Sequence, residues 1–397
     1  MFMKAAVTFK FSDVLLWCAF FITIGSACFQ FQYRFPFLSS LFSILSKIVF
    51  IASLSAHIAR CLKYKKRLFS RFDFFLLLFF LWLVFSSILN RHSWLTQVPF
   101  IMKAFSVRYL FSLYTPDHTE KSIHILSSVF SFIIYANFLQ LLLFPSIMGS
   151  FDGSNIYLIT TNYNQFGAVF MPAIYVKMLE SFQSGHKGGL LLLLAVCFAS
   201  VAIEGSATAT VSILLLLLTI IFVKSTHLLK IENISLMIGI VFFFFTFVIP
   251  TFSILDIPLV GNFVESLGKD MTFSHRTDIW RYAEFQIIHN PIIGYGVCDK
   301  EWFKHLLSNA VNTHNIVLQM LLQGGIIGLL IFAMFVNVGI RQILYIQDNY
   351  QRQLLLTIAI IFFLMSQFEV YTNTFIYVFI FLMSISKDVL IPKFIKQ

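Results

Sequence analysis

Charge is what this chain has least of. Asp, Glu, Lys and Arg make up 12% of its 397 residues, while 58% are hydrophobic and the mean hydropathy is +0.85. Soluble domains carry roughly a quarter of their residues as charges, so an ordinary soluble fold is excluded. A disulfide framework is absent as well. Cys18, Cys28 and Cys197 fall inside apolar runs, Cys61 flanks a basic loop, and Cys298 is alone in the largest polar segment, which no disulfide can staple. There is no internal repeat and no low-complexity linker. What remains is hydrocarbon, with 50 Phe among it.

The apolar residues gather in runs of about 17 to 25, each long enough to cross a bilayer as a helix. Backbone groups in lipid must pair within their own segment, which selects helices. The expected fold is therefore an all-α polytopic membrane helix bundle of about twelve spans. They lie near 12–32, 36–58, 72–90, 94–114, 121–144, 164–179, 189–204, 208–223, 233–252, 315–340, 354–369 and 374–390. This divides the chain into a first membrane block (1–252), one large outer loop containing short helices (253–314) and a second membrane block (315–397).

Lys and Arg resist translocation and collect in short cytoplasmic loops. Arg60, Lys63, Lys65, Lys66, Arg67 and Arg71 crowd one loop, and counting outward from it places both termini in the cytoplasm. The net charge of +10 is then a topology signal, and no nucleic-acid partner is implied. Gly25-Ser26-Ala27-Cys28 only faintly follows a lipoprotein cleavage site, so an uncleaved first helix is expected.

Polar chemistry concentrates in the outer loop. Ile279, Trp280, Ala283 and Ile287 recur at helical spacing after a candidate cap at Ser274, and Asn290-Pro291 should end that helix. Arg276 lies in its first turn. Trp280 is expected to anchor the helix at the membrane interface, leaving Arg276 free to point into a cavity, where its planar fork suits phosphate. Pro291, Gly294 and Gly296 form a tight turn. Asn312-Thr313-His314-Asn315 then leads into the tenth span, so that capping by Asn312 or Thr313 would put His314 in the first helical turn. There the helix dipole would keep it neutral, and the same terminus would attract an anion. Gly324 and Gly328, one turn apart, let a neighbouring helix approach.

This arrangement resembles the O-antigen ligase and polymerase superfamily of bacterial surface-glycan assembly. The likeness rests on Arg276 with Trp280, the Pro291, Gly294 and Gly296 turn, and His314-Asn315 followed by Gly325 and Gly328; it extends to TTNYNQFG at 160–167. It implies a metal-independent inverting glycosyltransferase at the outer face of the bacterial inner membrane, with no cofactor. The donor would be an undecaprenyl-diphosphate-linked glycan and the acceptor another glycan or the lipid A core; a chain-length regulator could join as partner. In family terms Arg276 would hold the donor diphosphate and His314 would act on the acceptor hydroxyl, with Asn315, Asn162 and Trp280 lining the substrate site. Ligases of the family carry an arginine near the position of Ala207, which this chain lacks, so Arg108 or Lys103 is the candidate substitute cation and repeat-unit polymerisation is the expected branch. A flippase or other transporter is the alternative class. Such proteins distribute ionisable residues near the midplane, whereas here polar capacity sits in one loop.

Overall fold

A computed structural model of the chain describes residues 10–29, 35–65, 67–113, 119–144, 149–151, 154–156, 165–222, 276–297, 302–304, 310, 312–370 and 374–390. Its helices are α1 (Phe11–Cys28), α2 (Pro36–Lys63), α3 (Arg71–Leu89), α4 (Val98–Phe111), α5 (Thr119–Leu143), α6 (Phe166–Ser184), α7 (Gly188–Glu204) and α8 (Ala207–Phe222). After these come α9 (Arg276–His289), α10 (Ile316–Leu344), α11 (Asn349–Met365) and α12 (Thr374–Leu390). Eleven of the twelve expected spans thus coincide with a helix, and the twelfth, 233–252, lies outside the described residues. The protein is an all-α polytopic membrane bundle.

Five of these helices, α1, α2, α3, α5 and α10, are long and apolar enough by themselves to cross a membrane. Where the sequence predicts one run over 94–114, a 3-10 turn at Trp94–Gln97 precedes the shorter α4, with Pro99 at the helix opening. The loop after α5 adds a two-stranded antiparallel hairpin, β1 (Gly149–Phe151) and β2 (Ser154–Ile156), pairing Ser150 with Asn155. No strand was expected there.

The bundle is apolar both inside and out, so its layers are set by exposure rather than by hydrophobicity. Helix α6 is almost wholly enclosed, with Phe170, Ile174 and Tyr175 fully buried, and α12 packs against it. By contrast α2 turns Phe37, Ile44, Ile48 and Ile51 outward, toward lipid. Helix α10 lies between α3 and α12. The expected close approach is present: Gly324 and Gly328 face Trp82 of α3, whose Nε1 donates to the Gly324 carbonyl at 2.8 Å.

Helix α10 is broken at Gly325, which adopts φ 61° and ψ −165°. The Pro291–Gly296 turn fills the break. Ile326 N donates to the Pro291 carbonyl (2.8 Å), while Tyr295 N and Gly296 N donate to the carbonyls of Leu322 and Gln323 (both 2.8 Å). Backbone groups freed by the break are thereby satisfied inside the protein, as a membrane position requires. A side chain at Gly325 would run into the Ile292 carbonyl. The C-terminal end of α3 clamps the same turn. Ser86 Oγ reaches the Ile293 carbonyl at 2.9 Å, Asn90 Nδ2 donates to the Gly294 carbonyl at 2.9 Å, and Val297 N donates to Ser87 Oγ at 2.8 Å.

Candidate active site

The turn and the broken helix give α9 a fixed seat. Ile279, Trp280 and Ala283 from its inner face form a small core with Leu318 and Leu322 from the first half of α10. Trp280 is fully buried and its Nε1 donates to the Thr313 carbonyl at 2.9 Å. The expectation of an interfacial Trp280 is corrected accordingly: the ring is a core residue, because the first half of α10 offers both apolar contacts and an acceptor for its one N–H.

The cap of α10 falls two or three residues later than the sequence implies. Asn315 is the cap, its Oδ1 accepting from Val317 N (2.9 Å) and Leu318 N (3.1 Å). Thr313 is buried and tied to Gln319 Oε1 through its backbone N–H (3.0 Å), and its Oγ1 donates to the Asn315 carbonyl (2.7 Å). His314 between them lies outside the first helical turn, so the dipole argument for it does not apply. Its backbone is left-handed, φ 50°, with its N–H donating to Asn312 Oδ1 at 2.8 Å. A non-glycine residue held at positive φ by its neighbours is characteristic of functional sites.

That twist turns the ring toward a residue the sequence reading missed. His314 Nδ1 lies 3.2 Å from Glu369 Oε2, in the turn after α11. The same oxygen is 3.5 Å from Arg276 Nη2 at the start of α9. Arg276 is therefore not free, as expected from sequence, but paired. Glu369 is 4% exposed. A carboxylate at that depth needs charged or hydrogen-bonding partners, and these two supply them from elements 93 and 55 residues away. A bond from Ile316 N to the Ser366 carbonyl (2.8 Å) fixes the end of α11 against the opening of α10 and so sets Glu369 in place. The signal in the sequence was a lone carboxylate, Gln367-Phe368-Glu369, at the end of an apolar run.

The chemistry available here is that of an oriented imidazole beside a guanidinium. Because a carboxylate only accepts, Nδ1 of His314 donates to Glu369, and in the neutral ring Nε2 is then the accepting nitrogen. Arg276 uses one nitrogen in a long contact and retains further donors of its fork.

Other sequence candidates fall elsewhere. Asn162, Ser274, Ala207's side chain and Cys298 lie outside the described residues. Arg108 is at the opposite end of α3, 3.5 Å from Asp73 through Nη2, and is not brought to this cluster. Lys103 points to the Ser26 carbonyl, 2.7 Å away, at the end of α1. Half-buried in α9's flank, the Glu284 carboxyl is pushed up to about 7 by desolvation, which Arg281 opposes.

Comparison with known proteins bears on the same stretch. Residues 190–333 match the family model for O-antigen ligases. The resemblance to the O-antigen ligase and polymerase superfamily holds over that span, which contains Arg276, Trp280, His314 and Asn315 but neither Glu369 nor Arg108. A protein of Rickettsia conorii, provisionally named a polysaccharide ligase, is 30% identical over 95 residues. That alignment takes in 21% of this chain and 23% of the relative. A polysaccharide ligase of Rickettsia felis, also provisionally named, aligns over the same length at 30% identity and 23% of its own length.

Proposed function

We propose that the chain is a glycosyltransferase at the outer face of the bacterial inner membrane, with both termini cytoplasmic. It transfers a glycan from an undecaprenyl diphosphate donor to a hydroxyl of a second glycan, elongating a surface polysaccharide. The observation that carries this reading is the Arg276–Glu369–His314 cluster, of which Arg276 and His314 lie in the stretch that matches the O-antigen ligase family and Glu369 lies beyond it.

In this reading the Arg276 fork binds the donor diphosphate and stabilises the charge that builds on it as the glycosidic bond breaks. His314 Nε2 takes the proton of the attacking hydroxyl, and Glu369 holds the ring through Nδ1. Asn315 sets the ring's position by capping α10, and Trp280 holds α9 so that Arg276 stays in reach. The lipid diphosphate is already a good leaving group, so positioning and charge stabilisation account for most of the catalysis. The resemblance further implies inversion at the anomeric carbon without a metal.

A second reading keeps the chemistry and changes the acceptor to the lipid A core. It is favoured by the family's description and by the names of the Rickettsia relatives. A deletion strain with its surface glycan resolved on a gel separates the readings. Single-repeat products indicate a polymerase, accumulated lipid-linked polymer a ligase, and loss of all exported glycan a flippase, which would overturn the proposal.

A further inference from the structure

A second basic site lies at the other end of α3. From Asp73 to Ser86 the helix rises about 20 Å, so whatever binds near Asp73 is on the membrane face opposite the Arg276–His314 cluster. There an open surface groove of about 630 Å³ is lined by Arg67, Phe69, Ser70, Arg71, Phe74 and Arg108. Among the described residues its lining carries three guanidinium groups and no carboxylate.

These residues come from separate parts of the chain and are held in place. Ser70 caps α3, accepting from Asp73 N at 3.2 Å, and its own N–H and hydroxyl donate to Asp73 Oδ2 at 2.7 Å each. The His57 ring bridges the Leu68 carbonyl and Ser112 Oγ, each at 2.9 Å, which joins the end of α2, the arginine-bearing loop and the end of α4. Arg60 Nη1 donates to the Ser112 carbonyl. Arg108 sits in the last turn of α4 with its side chain 15% exposed, and its contact to Asp73 is a single one at 3.5 Å. Because that carboxylate is already engaged by Ser70, it balances one of the three positive charges at most.

The topology rule accounts for Arg67 on the loop and Arg71 at the opening of α3, but not for a largely buried arginine brought beneath them. Phe69 and Phe74 flank the arginines and are 51% and 56% exposed. Cations beside exposed apolar rings at a membrane surface match an amphiphilic anion, with phosphate in the pocket and hydrocarbon along the rings. A soluble anion would have no use for the phenyl walls.

We propose that this pocket binds the phosphate headgroup of an anionic lipid in the leaflet opposite the active site. The test uses the purified full-length protein, with lipid retention read by native mass spectrometry and stability by thermal unfolding. Phosphatidylglycerol should be retained and should raise Tm, whereas phosphatidylcholine should do neither. Each of Arg67→Gln and Arg71→Gln should weaken phosphatidylglycerol retention about tenfold or more, as expected for a charge-assisted contact. These two side chains are solvent-facing, so the variants keep the fold even where Arg108→Gln, which strips Asp73 of its cationic partner, does not. Equal retention of both lipids, unchanged retention in the Arg67→Gln, Arg71→Gln double variant, or the same Tm rise with inorganic phosphate alone would each overturn the assignment.

Discussion

Glu369 Oε2 lies 3.2 Å from His314 Nδ1, on a backbone that holds His314 at φ 50° and so delivers the ring to a buried carboxylate. The pairing makes Nδ1 the donor, so that in the neutral ring Nε2 is the accepting nitrogen, independent of any helix dipole.

Glu369 is expected to act through His314 and to position it. Glu369→Gln retains the shape but presents an amide that can turn either its oxygen or its NH2 to the ring. Turnover should fall, by at most the roughly 10,000-fold seen for the equivalent swap in hydrolytic triads, while the apparent KM for the lipid-linked donor changes little. Glu369→Asp should recover part of the loss. A Glu369→Gln enzyme with wild-type turnover and an unaltered pH profile would reduce the residue to a structural tie.

His314→Ala should lower turnover about 100- to 10,000-fold, the usual range for general-base assistance, with donor binding nearly intact. Loss of donor affinity instead would move His314 into the diphosphate site. Asn315→Ala removes a helix cap worth about 1 kcal/mol and should reduce activity less than His314→Ala; the reverse order would mean that Asn315 carries the chemistry.

For Arg276 the contrast between alanine and lysine is diagnostic. Arg276→Ala should abolish product while the protein stays in the membrane, and Arg276→Lys should restore only part of the activity, because a point charge does not reproduce the two-pronged fork. Full activity of Arg276→Ala at normal expression would leave the residue a mere partner of Glu369.

Gly325 should tolerate no side chain. Its φ of 61° disfavours any L-residue and a Cβ would meet the Ile292 carbonyl, so Gly325→Ala should destabilise by about 1–3 kcal/mol from backbone strain alone. Thermal unfolding in detergent would read this as a lower Tm, accompanied by easier proteolysis between α9 and α10. An unchanged Tm would mean that the break does not hold the Pro291–Gly296 turn.

The Glu284 carboxyl is raised from 4.5 to about 7 by burial. The folded state therefore holds its proton more tightly than the unfolded chain, and the residue's contribution to stability falls as pH rises from about 4.5 to about 7. Glu284→Gln should flatten that part of the Tm-against-pH curve and be the more stable form at pH 8. A slope identical to wild type over this window would show that Glu284 does not carry it.

Much of the fold was legible because lipid imposes its own arithmetic. Run lengths and the need for internal hydrogen bonds gave the helices, and turn residues gave the end of α9 at Asn290-Pro291. Helical spacing placed Arg276 at the start of α9, and residue size foretold that Gly324 and Gly328 would meet another helix. The partner of that approach, Trp82, was invisible, as was the use of Gly325 as a break. The first depends on residues 242 positions apart being folded together, and the second on the Pro291–Gly296 turn packing into the break.

By itself the sequence determined that this is a helical membrane protein whose polar side chains gather in one stretch. Periodicity and hydropathy are local properties, read within a few turns of chain. Only the tertiary structure decided what those side chains face. It capped α10 with Asn315 instead of Asn312 or Thr313, buried Trp280, sent Arg108 to the far end of α3, and set Glu369 between Arg276 and His314. Each outcome follows from the same cause: a buried polar group takes whichever partner packing brings within reach, and packing joins segments that no local pattern relates.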